Sequence, residues 1–120
     1  MNLKALRIPD FLLHILEATQ RIQNYTNGMQ KQDFLANQLV QDAVIRNIEI
    51  MGEASRNIEM LDPQFASKYP QLPLRKIYLM RNQLIHGYVT VNANLVWTTV
   101  CRDIPILRAA VQQVYDSLPQ

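Results

Sequence analysis

The sequence predicts an all-α fold, a helical bundle, and three observations carry that prediction. Apolar residues recur at three- and four-residue spacing through several long segments, the pattern of helices with one buried face. Asn, Gly and Pro fall between those segments, where helices stop and start. Strand-like alternation is confined to Val89–Val91, so no sheet is expected. The 120 residues suffice for one domain, 1–120, with a core of its own, and 48% hydrophobic with 18% charged residues is a globular composition.

The first helix is expected to start at Pro9, where a missing N–H costs nothing, with Asp10 near the positive end of the helix. Leu12, Ile15, Leu16, Thr19, Ile22 and Tyr25 mark its buried face, and Asn27-Gly28 ends it. His14 sits on or near that face, where a lone histidine is more often packed or solvated than catalytic. Residues 29–36 read as a short helical turn anchored by Phe34 and Leu35. Asn37 is a candidate cap for a long helix through about Met60. Its apolar positions Val40, Val44, Ile48, Met51 and Ile58 are widened by Leu39, Ala43 and Ile50, which suits a central helix of a bundle or one facing both a core and a partner subunit. Arg46 with Glu49, and Glu53 with Arg56, are neighbours three apart and read as a surface ion-pair ladder. Gly52, in mid-helix, costs about 1 kcal/mol relative to Ala, and the compensation expected is close approach of a neighbouring helix.

Asp62-Pro63 reads as the cap and first residue of a short helix through about Tyr69, and Pro70 and Pro73 bracket a stiff connector. The next helix runs from about Leu74 to His86, with Gly87 as its left-handed stop. Asn92 caps the last long helix, which carries Leu95, Val96, Val100, Ile104, Leu107, Val111, Val114 and Leu118. Pro105 should kink or break it near Arg102 to Ile104.

The formal charge of +2, from 12 Lys and Arg against 10 Asp and Glu, permits an RNA partner without requiring one. Any strong nucleic-acid site must bring separated arginines together. Cys101 is the only cysteine, which excludes an intramolecular disulfide and a cysteine-based zinc site and makes a reducing cytoplasmic compartment the simplest expectation. The basic, apolar N-terminus is interrupted by His14 and Glu17 and reads as a helix start, not a signal peptide, and no run approaches the length of a membrane span.

Chemistry is concentrated in Arg81–Tyr88, RNQLIHGY. At about 100° per residue, Arg81, Asn82 and His86 share an arc of about 140°, with Leu84 and Ile85 pointing elsewhere, toward the core. Arg81 offers a fixed charge with planar donors suited to phosphate, His86 can exchange a proton near neutral pH, and Asn82 can orient the imidazole or a substrate. These groups suffice for metal-independent cleavage of an RNA phosphodiester by the neighbouring 2′-hydroxyl, with no cofactor. They are equally compatible with a structural role, His86 favouring the helix C-terminus and Asn82 hydrogen-bonding it. One histidine is thin for acid–base work. A homodimer would place two copies of the cluster across one groove and draw Arg81 and Arg46 of both subunits into a basic cleft.

MRNQLIHGY (Met80–Tyr88) resembles the R-x4-6-H-x-Y signature of the HepT-like branch of the HEPN superfamily. HILEATQRIQNYT (His14–Thr26), QDAVIRNIEIMGEASR (Gln41–Arg56) and NLVWTTVCRDIP (Asn94–Pro105) resemble the family pattern in the same order, so the resemblance covers nearly the whole chain. It implies an antiparallel bundle of about four to five helices that dimerises. It also implies an RNase toxin of a type VII toxin–antitoxin module whose partner is a minimal (MNT-type) nucleotidyltransferase antitoxin. Arg81 and His86 would carry RNA cleavage, with Asn82 and Arg46 supporting, and Tyr88 would accept AMP units from ATP. Each added nucleotide would bring phosphate charge beside Arg81 and His86 in competition with RNA. Leu74-Arg75 stands where the family often has Trp-Arg, and Asn92 where an acidic residue is common, and neither departure removes a catalytic group. Two other readings stay open: a non-catalytic subunit that holds a nucleotide or substrate for a nucleotidyltransferase, and a helical adaptor with no nucleic-acid role.

Overall fold

A computed structural model describes residues 7–86 and 92–119, with Ile85 and His86 described by backbone alone. The expected stop at Gly87, the Tyr88 hydroxyl and the Val89–Val91 link lie outside the described residues.

Helix α1 spans Ile8–Thr26 and starts one residue before Pro9. The proline stays in the first turn, where N–H groups lack intrahelical partners, and the Asp10 carboxylate accepts from the Arg7 N–H at 2.7 Å. The chain leaves α1 through Asn27 and Gly28, whose φ of 79° is the left-handed conformation glycine tolerates. Helix α2 (Lys31–Leu35) is a short plug. Phe34 is fully buried against Trp97, with ring centroids 5.1 Å apart, whereas Leu35, expected to share the anchoring, points about 100° away and is exposed.

Helix α3 (Gln38–Leu61) is capped as expected, Asn37 Oδ1 accepting from the Val40 N–H at 3.0 Å. It packs on α1 along one side and on α5 along another, with Val44, Ile48, Met51 and Ile58 fully buried between them. Leu39 does not belong to that stripe: it lies about 140° from Val44 around the axis and is exposed. Tyr25, expected on the buried face of α1, is also exposed. Asp62 and Pro63 form a turn rather than a cap and first residue. Asp62 Oδ1 accepts from the Gln64 N–H at 3.0 Å, and α4 runs only Phe65–Lys68.

Helix α5 (Leu74–His86) completes the layer over α3. Helix α6 (Ala93–Thr98) is capped by Asn92, whose Oδ1 accepts from the N–H groups of Asn94 and Leu95. The expected disturbance at Pro105 is a π-helical turn, Thr99–Asp103, after which α7 (Ile104–Ser117) continues. A proline cannot donate to the preceding turn and its ring crowds that turn's carbonyl. A wider π turn absorbs both effects without ending the helix. Helix α7 buries Ile104, Leu107, Val111 and Val114 against α1, and Arg108 Nη1 donates to the Leu16 carbonyl and to Thr19 Oγ1, both at 3.2 Å. Among the described residues there is no strand, and no helix is long and apolar enough to cross a membrane.

Candidate functional site

The site begins with an arginine placed where a hydrocarbon side chain would ordinarily pack. On α5, Leu74 and Ile77 are fully buried against α3 and Leu84 is partly buried. Arg81 falls in the same stripe, seven residues after Leu74 and three before Leu84, a core-facing helical spacing. The sequence expectation placed Arg81 on an arc apart from the core, and the structure corrects it: the side chain is only 24% exposed.

Gly52 makes this possible. A Cβ at residue 52 would lie 2.5 Å from Arg81 Cβ, 2.7 Å from Cγ and 3.0 Å from Cδ, so the arginine stem occupies the space an alanine would need. The expected close approach of a neighbouring helix at Gly52 is therefore present, and what approaches is Arg81 itself.

The guanidinium emerges beside this crossing. Its Nη1 donates to Asn82 Oδ1 at 3.2 Å, and its Nη2 lies 3.8 Å from Glu53 Oε2. Its Nε is buried and has no hydrogen-bond partner among the described residues. An unsatisfied buried donor costs about 1–3 kcal/mol, the kind of expense found where a charge is held for use. Asn82 thus holds the guanidinium. Glu53, expected in a ladder with Arg56, turns to Arg81 instead, while the expected Arg46–Glu49 pair forms at 3.6 Å.

Arg81, Glu53, Arg46 and Glu49 line one groove of about 270 Å³ between α1, α3 and α5, together with Asn57 and His14, and Asn82 stands outside its lining. Within the chain it is charge-balanced, since each arginine faces a glutamate. Both pairs are long, and Arg46 and Glu53 are 70% and 58% exposed, so each pair contributes about 0–1 kcal/mol and an arriving phosphate can replace the carboxylate. His86 closes α5, about 7.5 Å along the axis beyond Arg81. Its imidazole, like Tyr88, lies outside the described residues.

His14, Glu49, Glu53 and Asn57 are polar lining groups that sequence reasoning did not assign to the site. Asn47, a polar residue of α3, is 4% exposed and belongs to the interior. It accepts from Arg21 Nη1 at 3.1 Å and donates to the Ala43 carbonyl at 2.8 Å, joining α1 to α3. A larger groove of about 450 Å³ lies across α5, between Lys76, Leu79 and the π turn. Of its cations Arg75, Lys76 and Arg102, the last two face Asp103, at 3.6 and 3.5 Å, and Arg81 does not line it.

Residues 15–114 match the family model described as ribonuclease HepT-like. A Thermococcus cleftensis protein named probable ribonuclease HepT is 39% identical over 105 residues, covering 88% of this chain and 93% of its own. A Methanocaldococcus jannaschii protein named as a gamma-glutamylcyclotransferase and candidate RNase is 39% identical over 108 residues, covering 90% of this chain and 47% of its own length. The chain therefore spans about half of that relative. No solved structure gives a significant match.

Proposed function

The chain belongs to the HepT-like ribonuclease family, and from that premise we propose that it is a metal-independent endoribonuclease, active as a homodimer in the cytoplasm and restrained by a nucleotidyltransferase. The observation that carries this reading is Arg81, a guanidinium seated over Gly52 on the core-facing stripe of α5 with its head held by Asn82. A merely structural position there favours leucine, which avoids both the desolvation and an Nε without a partner among the described residues.

In the proposed reaction a ribose 2′-hydroxyl attacks the adjacent phosphorus, His86 accepts its proton, and the bond to the 5′-oxygen breaks. The products are a 2′,3′-cyclic phosphate and a 5′-hydroxyl. Arg81 stabilises charge on the phosphoryl oxygens, and its fixed orientation lowers the reorganisation needed as that charge develops. Arg46 meets a neighbouring phosphate by leaving Glu49. A dimer doubles these groups across one RNA-binding cleft, so that RNA phosphates displacing Glu49 and Glu53 meet Arg46 and Arg81 of both subunits.

The test is purified protein, without divalent metal, incubated with RNA beside Arg81→Ala and His86→Ala. Wild type is expected to cut at least about 10²-fold faster than either variant, with cyclic-phosphate ends. Equal rates in variants that remain folded dimers would remove the nuclease reading. RNA or nucleotide binding without cleavage would favour a substrate-holding subunit.

Regulation is proposed at Tyr88, whose hydroxyl attacks the α-phosphorus of ATP in the active site of an MNT-type partner and releases pyrophosphate. The transferred AMP brings a phosphate next to the catalytic cluster and excludes RNA by charge and bulk. Intact-mass measurement after incubation with such an enzyme and ATP is expected to show AMP-sized increments that vanish in Tyr88→Phe. Increments that survive the substitution would place the acceptor elsewhere.

A further inference from the structure

The proposed reaction needs a second proton. When the phosphorus–oxygen bond breaks, the departing 5′-oxygen is a poor leaving group unless an acid protonates it, and a single histidine does not serve both ends at once. The chain has two histidines. His14 stands on α1, remote in sequence from the motif, yet it lines the same groove as Arg81 and Arg46.

Its position is defined rather than incidental. The imidazole is half-buried and packs edge-on to Phe11, with ring centroids 5.7 Å apart and planes at 89°, while Phe11 is itself 5% exposed. A ring held by a buried neighbour one turn away loses little rotational freedom on meeting a substrate, which a proton donor requires. The charged groups lining the groove with it are Arg46, Glu49 and Glu53 of α3 and Arg81 of α5. On its own helix Asp10 stands four residues before and Glu17 three residues after. A phosphate that displaces Glu53 from Arg81 enters the groove that His14 lines.

We propose that His14 is the general acid of this ribonuclease, protonating the 5′-oxygen as His86 takes the proton of the 2′-hydroxyl. The inference rests on the nuclease reading above and adds a residue to it. Proton count closes within one turnover: His86 gains the proton of the attacking hydroxyl, His14 gives one to the leaving oxygen, and solvent exchange restores both. The second acid–base group then comes from α1 of the fold rather than from a repeated His86 alone.

A substrate whose leaving group needs no proton tests this directly. RNA with sulfur in place of the bridging 5′-oxygen releases a thiolate, so loss of a general acid matters little there. His14→Gln is expected to cut ordinary RNA about 10²-fold more slowly than wild type, to lose the alkaline limb of the pH–rate profile, and to cut the sulfur-bridged RNA at nearly the wild-type rate. His86→Ala stays slow on both. His14→Asn must show the same split, which separates proton donation from a packing defect peculiar to one side chain. Variants equally slow on both substrates, or as fast as wild type on ordinary RNA, overturn the role of His14 and leave the nuclease reading standing. Wild type that cuts RNA no better than Arg81→Ala overturns both.

Discussion

Gly52→Ala is expected to lower both the stability and the ribonuclease activity of this protein, although the same change in an ordinary exposed helix stabilises. Two effects oppose each other. Alanine gains about 1 kcal/mol over glycine in a helix interior. Against that, its Cβ would stand 2.5 Å from Arg81 Cβ and 2.7 Å from Cγ, atoms next to the backbone of α5 that no rotamer change moves far away. Overpacking of this kind costs about 1–3 kcal/mol, and relief requires α5 to shift off α3. The net expectation is a melting temperature lower by roughly 5 °C. On the proposed role of Arg81 the activity falls further than the stability, because a displacement near 1 Å of a positioned catalytic group costs about 10²-fold. Thermal melts and initial rates on the same preparations check it. A higher melting temperature with full activity would mean that Arg81 does not depend on the space at Gly52. Arg81→Ala does not rescue the fold of Gly52→Ala, since the tightest contact is with the Cβ that alanine keeps.

That dependence was half legible in the sequence. A mid-helix glycine signals close approach, but it does not say what approaches. The answer lay in the spacing of Leu74, Ile77, Arg81 and Leu84, which sets the arginine on the apolar stripe. The polar cluster Arg81, Asn82 and His86 drew it toward the outer arc instead, because a charged residue is ordinarily assigned to solvent. Burial of Arg81 follows from facing a residue with no side chain, and that pairing of α3 with α5 is tertiary information.

The helices were read well for the converse reason: their signals are local. Asn37, Asn92 and Gly28 act within a turn of themselves, and each does what its chemistry dictates. The exposed positions Tyr25, Leu35, Leu39 and Leu95 are apolar residues beside a true stripe, where exposure in one chain depends on whether another element covers them. Pro105 announced a disturbance but not its form. Whether a helix breaks, bends or widens to a π turn depends on what holds both halves, and here α7 is held to α1 by Arg108. His14 was set aside because its neighbours in sequence are apolar. Its partners across the groove come from α3 and α5, some 30 to 70 residues away, beyond any periodicity argument.

Arg81→Lys is expected to abolish most activity while leaving the fold intact. The substitution keeps the charge and most of the stem that crosses Gly52, so the melting temperature should stay close to wild type. What it loses is geometry. The guanidinium places Nη1 on Asn82 and directs Nη2 toward Glu53, two directions fixed by one plane. A lysine ammonium sits near the position of the arginine Cζ and cannot serve both, and as a compact, strongly hydrated charge it is worse suited to a site only 24% exposed. If Arg81 acted only by attracting RNA, lysine would restore much of its effect and KM would carry the remaining loss. If it stabilises charge on the phosphoryl oxygens, the loss falls on kcat, by about 10²–10³-fold, the range for removing one preorganised donor. Steady-state kinetics of Arg81→Lys beside Arg81→Ala separate the two. A lysine variant with nearly wild-type kcat would reduce Arg81 to a source of positive potential and leave the expense of burying it at Gly52 unexplained.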